Sequence, residues 1–194
     1  FKDLGLLIVD EEQKFGVAHK EKIKKFKTEV DTLTLSATPI PRTLNMSFTG
    51  MRDLSIINTA PVDRLPTRTF ISKFDPELIR KGIRSEIARG GQVYFIHNRV
   101  QSIYGLADEL RQFVPEARMR VAHGQMNEDE LESAMLAFFH HEIDVLICTA
   151  IVESGMDVPR ANTMFIDQAH MFGLSQLYQL RGRVGRSKAR AFCY

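Results

Sequence analysis

Short apolar runs alternate along this chain with longer stretches of helical period, and few folds accept that order. Runs such as Leu6-Leu7-Ile8-Val9 and Val145-Leu146-Ile147-Cys148 are apolar throughout, which suits strands covered on both faces. The pattern predicts an α/β fold, a parallel sheet with flanking helices. Predicted strands are 6–9 (buried), 32–35, 68–74, 92–97, 118–122, 144–149 and 163–167, with another near 190–194. Predicted helices are 17–27, 41–48, 76–89, 101–113, 128–140 and 174–181. Pro41 suits a first helical position, where its missing N–H costs nothing, and Gly90-Gly91 stops a helix and turns the chain into a strand.

The segment 59–66 carries two prolines, Asp63 and Arg64 and has no periodicity, so a domain junction is expected there, with the linker at 61–66. Residues 67–194 are enough to bury a core of their own. Residues 1–60 offer two firm strands, too few for an independent layer, and read as the tail of an earlier domain. The chain opens directly before a strand-like run and closes within another, so the expectation is a piece of a longer polypeptide.

Composition narrows the partners. Lys plus Arg number 26 and Asp plus Glu 24, a formal charge of +2, which excludes a bulk polycation but leaves room for a local basic face. No apolar run approaches the roughly 18–20 residues that cross a bilayer, and no signal peptide is evident, so no membrane is expected. Cys148 and Cys193 sit in apolar runs with no zinc or disulfide spacing. That usage suits a reduced, cytoplasmic setting. His140-His141 lacks metal-ligand spacing and reads as a solvated helix end. The lysines between 20 and 27 read as a solvated face rather than a DNA site, and Met135, Phe138 and Phe139 as a helical core face.

Four segments carry chemistry. Asp10-Glu11-Glu12-Gln13 follows an apolar strand, so carboxylates sit at the carboxyl edge of a sheet, where α/β proteins bind ligands. Asp10 suits magnesium held through water, and Glu11 an orienting base for an attacking water. An ordinary acidic turn is the competing reading. Ser36-Ala37-Thr38-Pro39-Ile40-Pro41-Arg42-Thr43 puts small residues and hydroxyls between a strand and a helix, and alone is only a proline-rich turn. Cys148-Thr149-Ala150, continuing to Gly155-Met156-Asp157, offers a hydroxyl for a phosphate and a carboxylate for a ribose. A solvated loop reads equally well. Gln179-Leu180-Arg181-Gly182-Arg183-Val184-Gly185-Arg186 spaces arginines with glycines and is the most specific string. With carboxylates in the same chain, it can bring positive charge to a transferring phosphoryl group.

In this order the four segments resemble motifs II, III, V and VI of superfamily 2 helicases and translocases. Ile96-His97-Asn98-Arg99 is similar to motif IV, and Val121-Ala122-His123-Gly124-Gln125-Met126 to the short motif that follows it. The string Asp10 to Val17, with Ala37 to Leu44, narrows the resemblance to the fork-reversal helicases of the RecG type and the bacterial transcription-repair coupling factors. Gly50 to Ile57, Gly91 to Val100 and His123 to Met126 favour the coupling factors.

The resemblance implies RecA-like helicase lobes, a complete C-terminal lobe at 67–194 after the end of an N-terminal one. It implies ATP and Mg2+ as cofactors and double-stranded DNA as track. RNA polymerase and an excision-repair protein would be partners through regions outside this chain. Carried over residue by residue, Asp10 is the magnesium-site carboxylate, Glu11 the catalytic base, and Gln13 and Gln179 nucleotide-side groups. Asp157 is a ribose contact. Arg186 is the arginine finger and Arg183 a second γ-phosphate contact. Ser36, Thr38 and Arg42 fall in the coupling motif, and Thr149, Asn98, Arg99 and His123 on the DNA side. His123 serves equally as a structural hydrogen-bonding residue. Ala150 departs from the pattern, since relatives carry a second threonine there.

No G-x-x-x-x-G-K-[ST] phosphate loop occurs in the chain, so the expectation is half an ATP site and no hydrolysis by this chain alone. Two alternatives to the coupling-factor motor stay open: a fork-reversal helicase, and a non-catalytic lobe that only binds nucleic acid or protein.

Overall fold

The protein was analysed as a computed structural model, which describes residues 3–11, 15–26, 30–36, 55–57, 59, 65–150 and 157–194. The chain divides into two compact units, Phe1–Asn58 and Thr59–Tyr194. The helix expected at 41–48 lies outside the described residues.

In the first unit, β1 (Leu6–Asp10) and β2 (Asp31–Leu35) pair in parallel, joined through α1 (Val17–Phe26). The register sets Ile8 beside Leu33 and Asp10 beside Leu35, so these share a face. The expectation of a buried strand fails here. Val9 is buried, but Leu6 and Ile8 are 53% and 57% exposed, with Leu33 and Leu35 open beside them. Among the described residues one helix accompanies this two-stranded sheet, and it cannot cover two faces. On α1, Lys22 and Lys25 are exposed.

The second unit runs β3 (Arg68–Thr69), α2 (Pro76–Ala88), β4 (Gln92–Ile96), α3 (Val100–Phe113), β5 (Met119–Ala122), α4 (Glu128–Phe139), β6 (Val145–Cys148), β7 (Ala161–Ile166), α5 (Leu174–Arg181) and β8 (Phe192–Cys193). A 3-10 turn at Ala169–Met171, which the sequence pattern did not signal, precedes α5. The six strands form one parallel sheet in the order β3-β8-β7-β4-β6-β5. Strand alternation splits the core in two. Val93, Phe95, Val145 and Ile147 face α2 and α3, packing with Ile83, Ile103, Ala107 and Leu110. Tyr94, Ile96, Leu146 and Cys148 face the other way, against Phe138 of α4 and Leu180 of α5. No helix of the described residues is long and apolar enough to cross a membrane.

Local chemistry explains the helix starts. The Asp75 carboxylate accepts from the N–H groups of Glu77 (2.9 Å) and Leu78 (3.3 Å), with Pro76 opening α2. Asn127 caps α4 by accepting from the Glu130 N–H at 2.7 Å, and Glu128, Asp129 and Glu130 place negative charge at that helix's positive end. Gly90, at φ +75°, turns the chain out of α2 into β4.

Two expectations are corrected. The strand expected at 68–74 stops at Thr69, because its partner β8 has two residues to pair. The Phe70 N–H still reaches the Cys193 carbonyl (2.8 Å), but Ile71 is 99% exposed. On α4, Phe138 is fully buried and Met135 packs against the core, whereas Phe139 is half exposed. Successive helical residues point about 100° apart, and the buried stripe is Ala134, Ala137 and Phe138.

Polar groups tie the amino end of the sheet together. Buried Gln92 donates from Nε2 to the carbonyls of Phe138 (2.7 Å) and Ile143 (2.8 Å). Asp144 accepts from Arg118 Nη2 (2.7 Å), Nε (3.0 Å) and backbone N–H (2.9 Å). Burial works to raise its carboxyl, but the Arg118 hydrogen bonds and charge outweigh it and hold the group below the usual aspartate range. A depressed carboxyl contributes stability that is complete above its unfolded pKa of about 4 and is lost as pH falls through the native value. Asp144→Asn should therefore melt below the parent at pH 7, and the gap should shrink between pH 5 and pH 2. Thermal melts with a pH-independent gap would contradict this role.

Candidate nucleotide and nucleic-acid site

Because every strand is parallel, the register brings distant residues to one edge. Ile96 lies level with Cys148 and with Ile166, and Ala122 level with Cys148. The segments that follow, 97–99, 123–125, Thr149 and Asp167, therefore crowd the carboxyl edge of the second unit's sheet. In the first unit, Asp10 ends β1 and Ser36 follows β2, so Asp10, Glu11 and Ser36 share that sheet's carboxyl edge.

Glu11 is a non-glycine residue in the left-handed region, at φ 50°, with its N–H donating to the Leu35 carbonyl at 3.0 Å. Such a backbone costs on the order of 1–3 kcal/mol and recurs at functional sites. Asp10 is exposed and Glu11 half-buried. Two adjacent hard oxygen donors suit a magnesium ion that keeps most of its water. Among the described residues no group of three or more potential metal ligands occurs. Gln13, Thr38 and Arg42 lie outside the described residues.

The arginine-glycine string works as a mount in the second unit. Gly182 caps α5, Val184 is fully buried, and Gly185 takes φ +75°. A Cβ on Gly185 would lie 2.9 Å from Ala191 Cβ and 3.2 Å from Thr67 Oγ1, so no larger residue fits that turn unchanged. Arg186 emerges from it with its side chain 30% exposed. Its Nη1 donates to Asp157 Oδ1 at 3.2 Å and its Nε to the Gly182 carbonyl at 3.4 Å. The fold thus joins a carboxylate and a guanidinium whose partnership the linear sequence did not suggest. Burial pushes the Tyr94 phenol up, aided by Cys148, while the Arg183 and Arg186 charges oppose it. Arg183 and Gln179 are half-buried and each engages neighbours.

At the sheet edge, Asn98 and Arg99 are exposed, and Arg99 opens α3 with no side-chain cap hydrogen bond. Thr149 is half-buried, with its N–H donating to the Ala122 carbonyl at 3.3 Å. His123 differs from these. Its ring is buried, accepts from the Gln125 N–H at Nδ1 (3.3 Å) and meets the Tyr104 hydroxyl at Nε2 (3.1 Å). Both ring nitrogens of His123 thus engage neighbours within the second unit.

One polar cluster escaped the sequence reading. His97 is 5% exposed, with Nδ1 2.8 Å from Asp167 Oδ2 and Nε2 2.7 Å from Ser102 Oγ. His97 and Asp167 are seventy positions apart, and only the β4–β7 pairing joins them. Both cysteines are buried free thiols, with Cys193 pushed up to about 11 by burial.

The second unit is thus a six-stranded parallel sheet under helices, with Arg186 and Asp157 paired beside it. Residues 75–188 match the helicase conserved C-terminal domain, and the chain belongs to that family. Over all 194 residues it is 57% identical to the transcription-repair-coupling factor of Myxococcus xanthus and to that of Escherichia coli (strain K12). It spans only 16% and 17% of their respective lengths. Among solved structures, RecG bound to a three-way DNA junction aligns with the whole chain and 26% of its own, at TM-score 0.73 and 37% identity. Saccharomyces cerevisiae Dbp5 bound to RNA and ADP BeF3 aligns over 98% of this chain and 53% of its own, at TM-score 0.64 and 13% identity, a likeness of fold. The architecture is the RecA-like helicase fold expected from the motifs.

Proposed function

We propose that this chain is part of an ATP-driven motor that moves on double-stranded DNA, displaces stalled RNA polymerase and so couples transcription to excision repair. Residues 67–194 act as the second lobe of that motor, and residues 1–60 as the end of the first. The observation that carries the reading is the 57% identity to coupling factors across every residue, against 37% to the RecG chain. The RecG likeness keeps junction remodelling as the rival activity.

In this reading Asp10 would hold a magnesium ion through water, and a bound ion would supply charge neutralisation at the phosphates. Glu11 orients the attacking water and receives its proton. Arg186 leaves Asp157 to meet charge developing on the transferred phosphoryl group, with Arg183 beside it. Asp157 then accepts from a ribose hydroxyl, and Gln13 and Gln179 face the nucleotide. Ser36, Thr38 and Arg42 pass the nucleotide state to the DNA side, where Thr149, Asn98 and Arg99 touch the phosphate backbone.

The sequence carries no G-x-x-x-x-G-K-[ST] string, and in this reading phosphate release by the pure 194-residue chain with ATP, magnesium and duplex should stay at background. A full-length protein carrying it should turn over ATP, faster with linear duplex present. Turnover by the chain alone would reject the half-site, and stimulation by branched DNA only would favour the rival.

A further inference from the structure

We infer that His97 is a positioning residue that sets the Asn98-Arg99 turn toward DNA, an inference that rests on the proposed DNA-side role of that turn. The turn leaves β4 at the carboxyl edge and enters α3 within three residues, so its shape depends on what grips its two ends. Backbone bonds grip one end: the His97 N–H donates to the Cys148 carbonyl and the Asp167 N–H to the Ile96 carbonyl, both at 2.9 Å. The imidazole grips both ends together. Nδ1 pairs with Asp167 Oδ2, just past β7, at 2.8 Å. Nε2 pairs with the Ser102 hydroxyl, in the first turn of α3, at 2.7 Å.

One buried ring therefore bridges β4, β7 and α3, and the exposed Asn98 and Arg99 between its anchors have little freedom left. A pre-set turn matters because ordering a long side chain and its backbone on binding costs affinity. The same order of groups activates serine in hydrolases. Here Ser102 stands exposed on a helix surface, and the geometry acts on the turn instead.

The test uses the 194-residue chain, 15N-labelled, and a fluorescein-labelled linear duplex. Backbone order parameters at Asn98 and Arg99 should be near 0.85 in the parent and fall below about 0.6 in Ser102→Ala and His97→Ala. Ser102→Thr, which keeps the hydroxyl, should hold the parent value. Ser102 is exposed, so its alanine variant should fold even if His97→Ala does not. In anisotropy titrations Arg99→Ala should weaken duplex binding about tenfold. Ser102→Ala should weaken it about threefold with Arg99 present and not at all in the Arg99→Ala background. Unchanged order parameters would overturn the brace. Order lost in the variants while Arg99→Ala leaves duplex affinity unchanged would instead overturn the DNA-side reading of the turn, and the positioning role with it. Equal losses in both backgrounds would overturn the coupling through Arg99.

Discussion

Arg186→Ala in a full-length protein is expected to lower ATP turnover by about 10³-fold or more while changing nucleotide affinity little. An arginine that meets a phosphoryl group in flight acts on transition-state charge, so its removal raises the barrier and leaves ground-state binding nearly intact. The structure shows why the variant should fold. The side chain is partly exposed, and its bond to Asp157, itself 59% exposed, is a surface ion pair worth at most about 1 kcal/mol. The turn that presents it is made by Val184 and Gly185, which the substitution leaves alone. Single-turnover kinetics with a nucleotide-binding titration separates the two effects. Equal losses in both would move Arg186 from the transition state to ordinary binding.

Gly91→Ala should destabilise the second unit by about 3 kcal/mol, near 10 °C in melting temperature for a domain of this size. A positive φ is not the issue at Gly91, because what forbids a side chain here is the buried Glu86 carboxyl group that fills the space. A Cβ at this position would stand 1.7 Å from Glu86 Oε1, 2.7 Å from Cδ and 3.1 Å from Cγ. Glu86 is 1% exposed and cannot swing away cheaply. Its Oε1 accepts from Arg89 Nε at 3.0 Å, and Oε2 is bonded by both Arg89 Nη2 and the Thr163 hydroxyl. Arg89 in turn lies over the Phe192 ring, 5.3 Å from its centroid. Making room means breaking this cluster and leaving a carboxylate buried without its partners, the costly half of any buried ion pair. Thermal and urea melts of the chain would measure the loss, and a variant within about 0.5 kcal/mol of the parent would show that the cluster yields freely.

Most of the second unit could be read from the chain because its central strands, β4, β6 and β7, are buried on both faces. Val93 to Ile96 and Val145 to Cys148 are apolar for that reason, and their ends were placed within a residue or two. The misreadings have one physical origin: periodicity describes a segment, not what lies against it. Leu6 and Ile8 look like core residues in sequence, yet the face they share in the first unit is uncovered. Residues 70–74 have strand character but no strand long enough to pair with. At the site, the acidic and arginine-rich strings were legible because each is local. Arg186 on Asp157, Asp167 on His97 and Thr163 on Glu86 were not, since only the tertiary fold brings residues so far apart in sequence together.

The most direct test of the motor reading is release of a stalled RNA polymerase from linear duplex DNA by a full-length protein carrying this chain, with and without ATP. The account predicts ATP-dependent release that disappears in Glu11→Gln, where the carboxylate that takes the proton is gone but the shape is kept. Absence of release, with three-way junctions remodelled in its place, would contradict the coupling role and assign this motor to branched DNA.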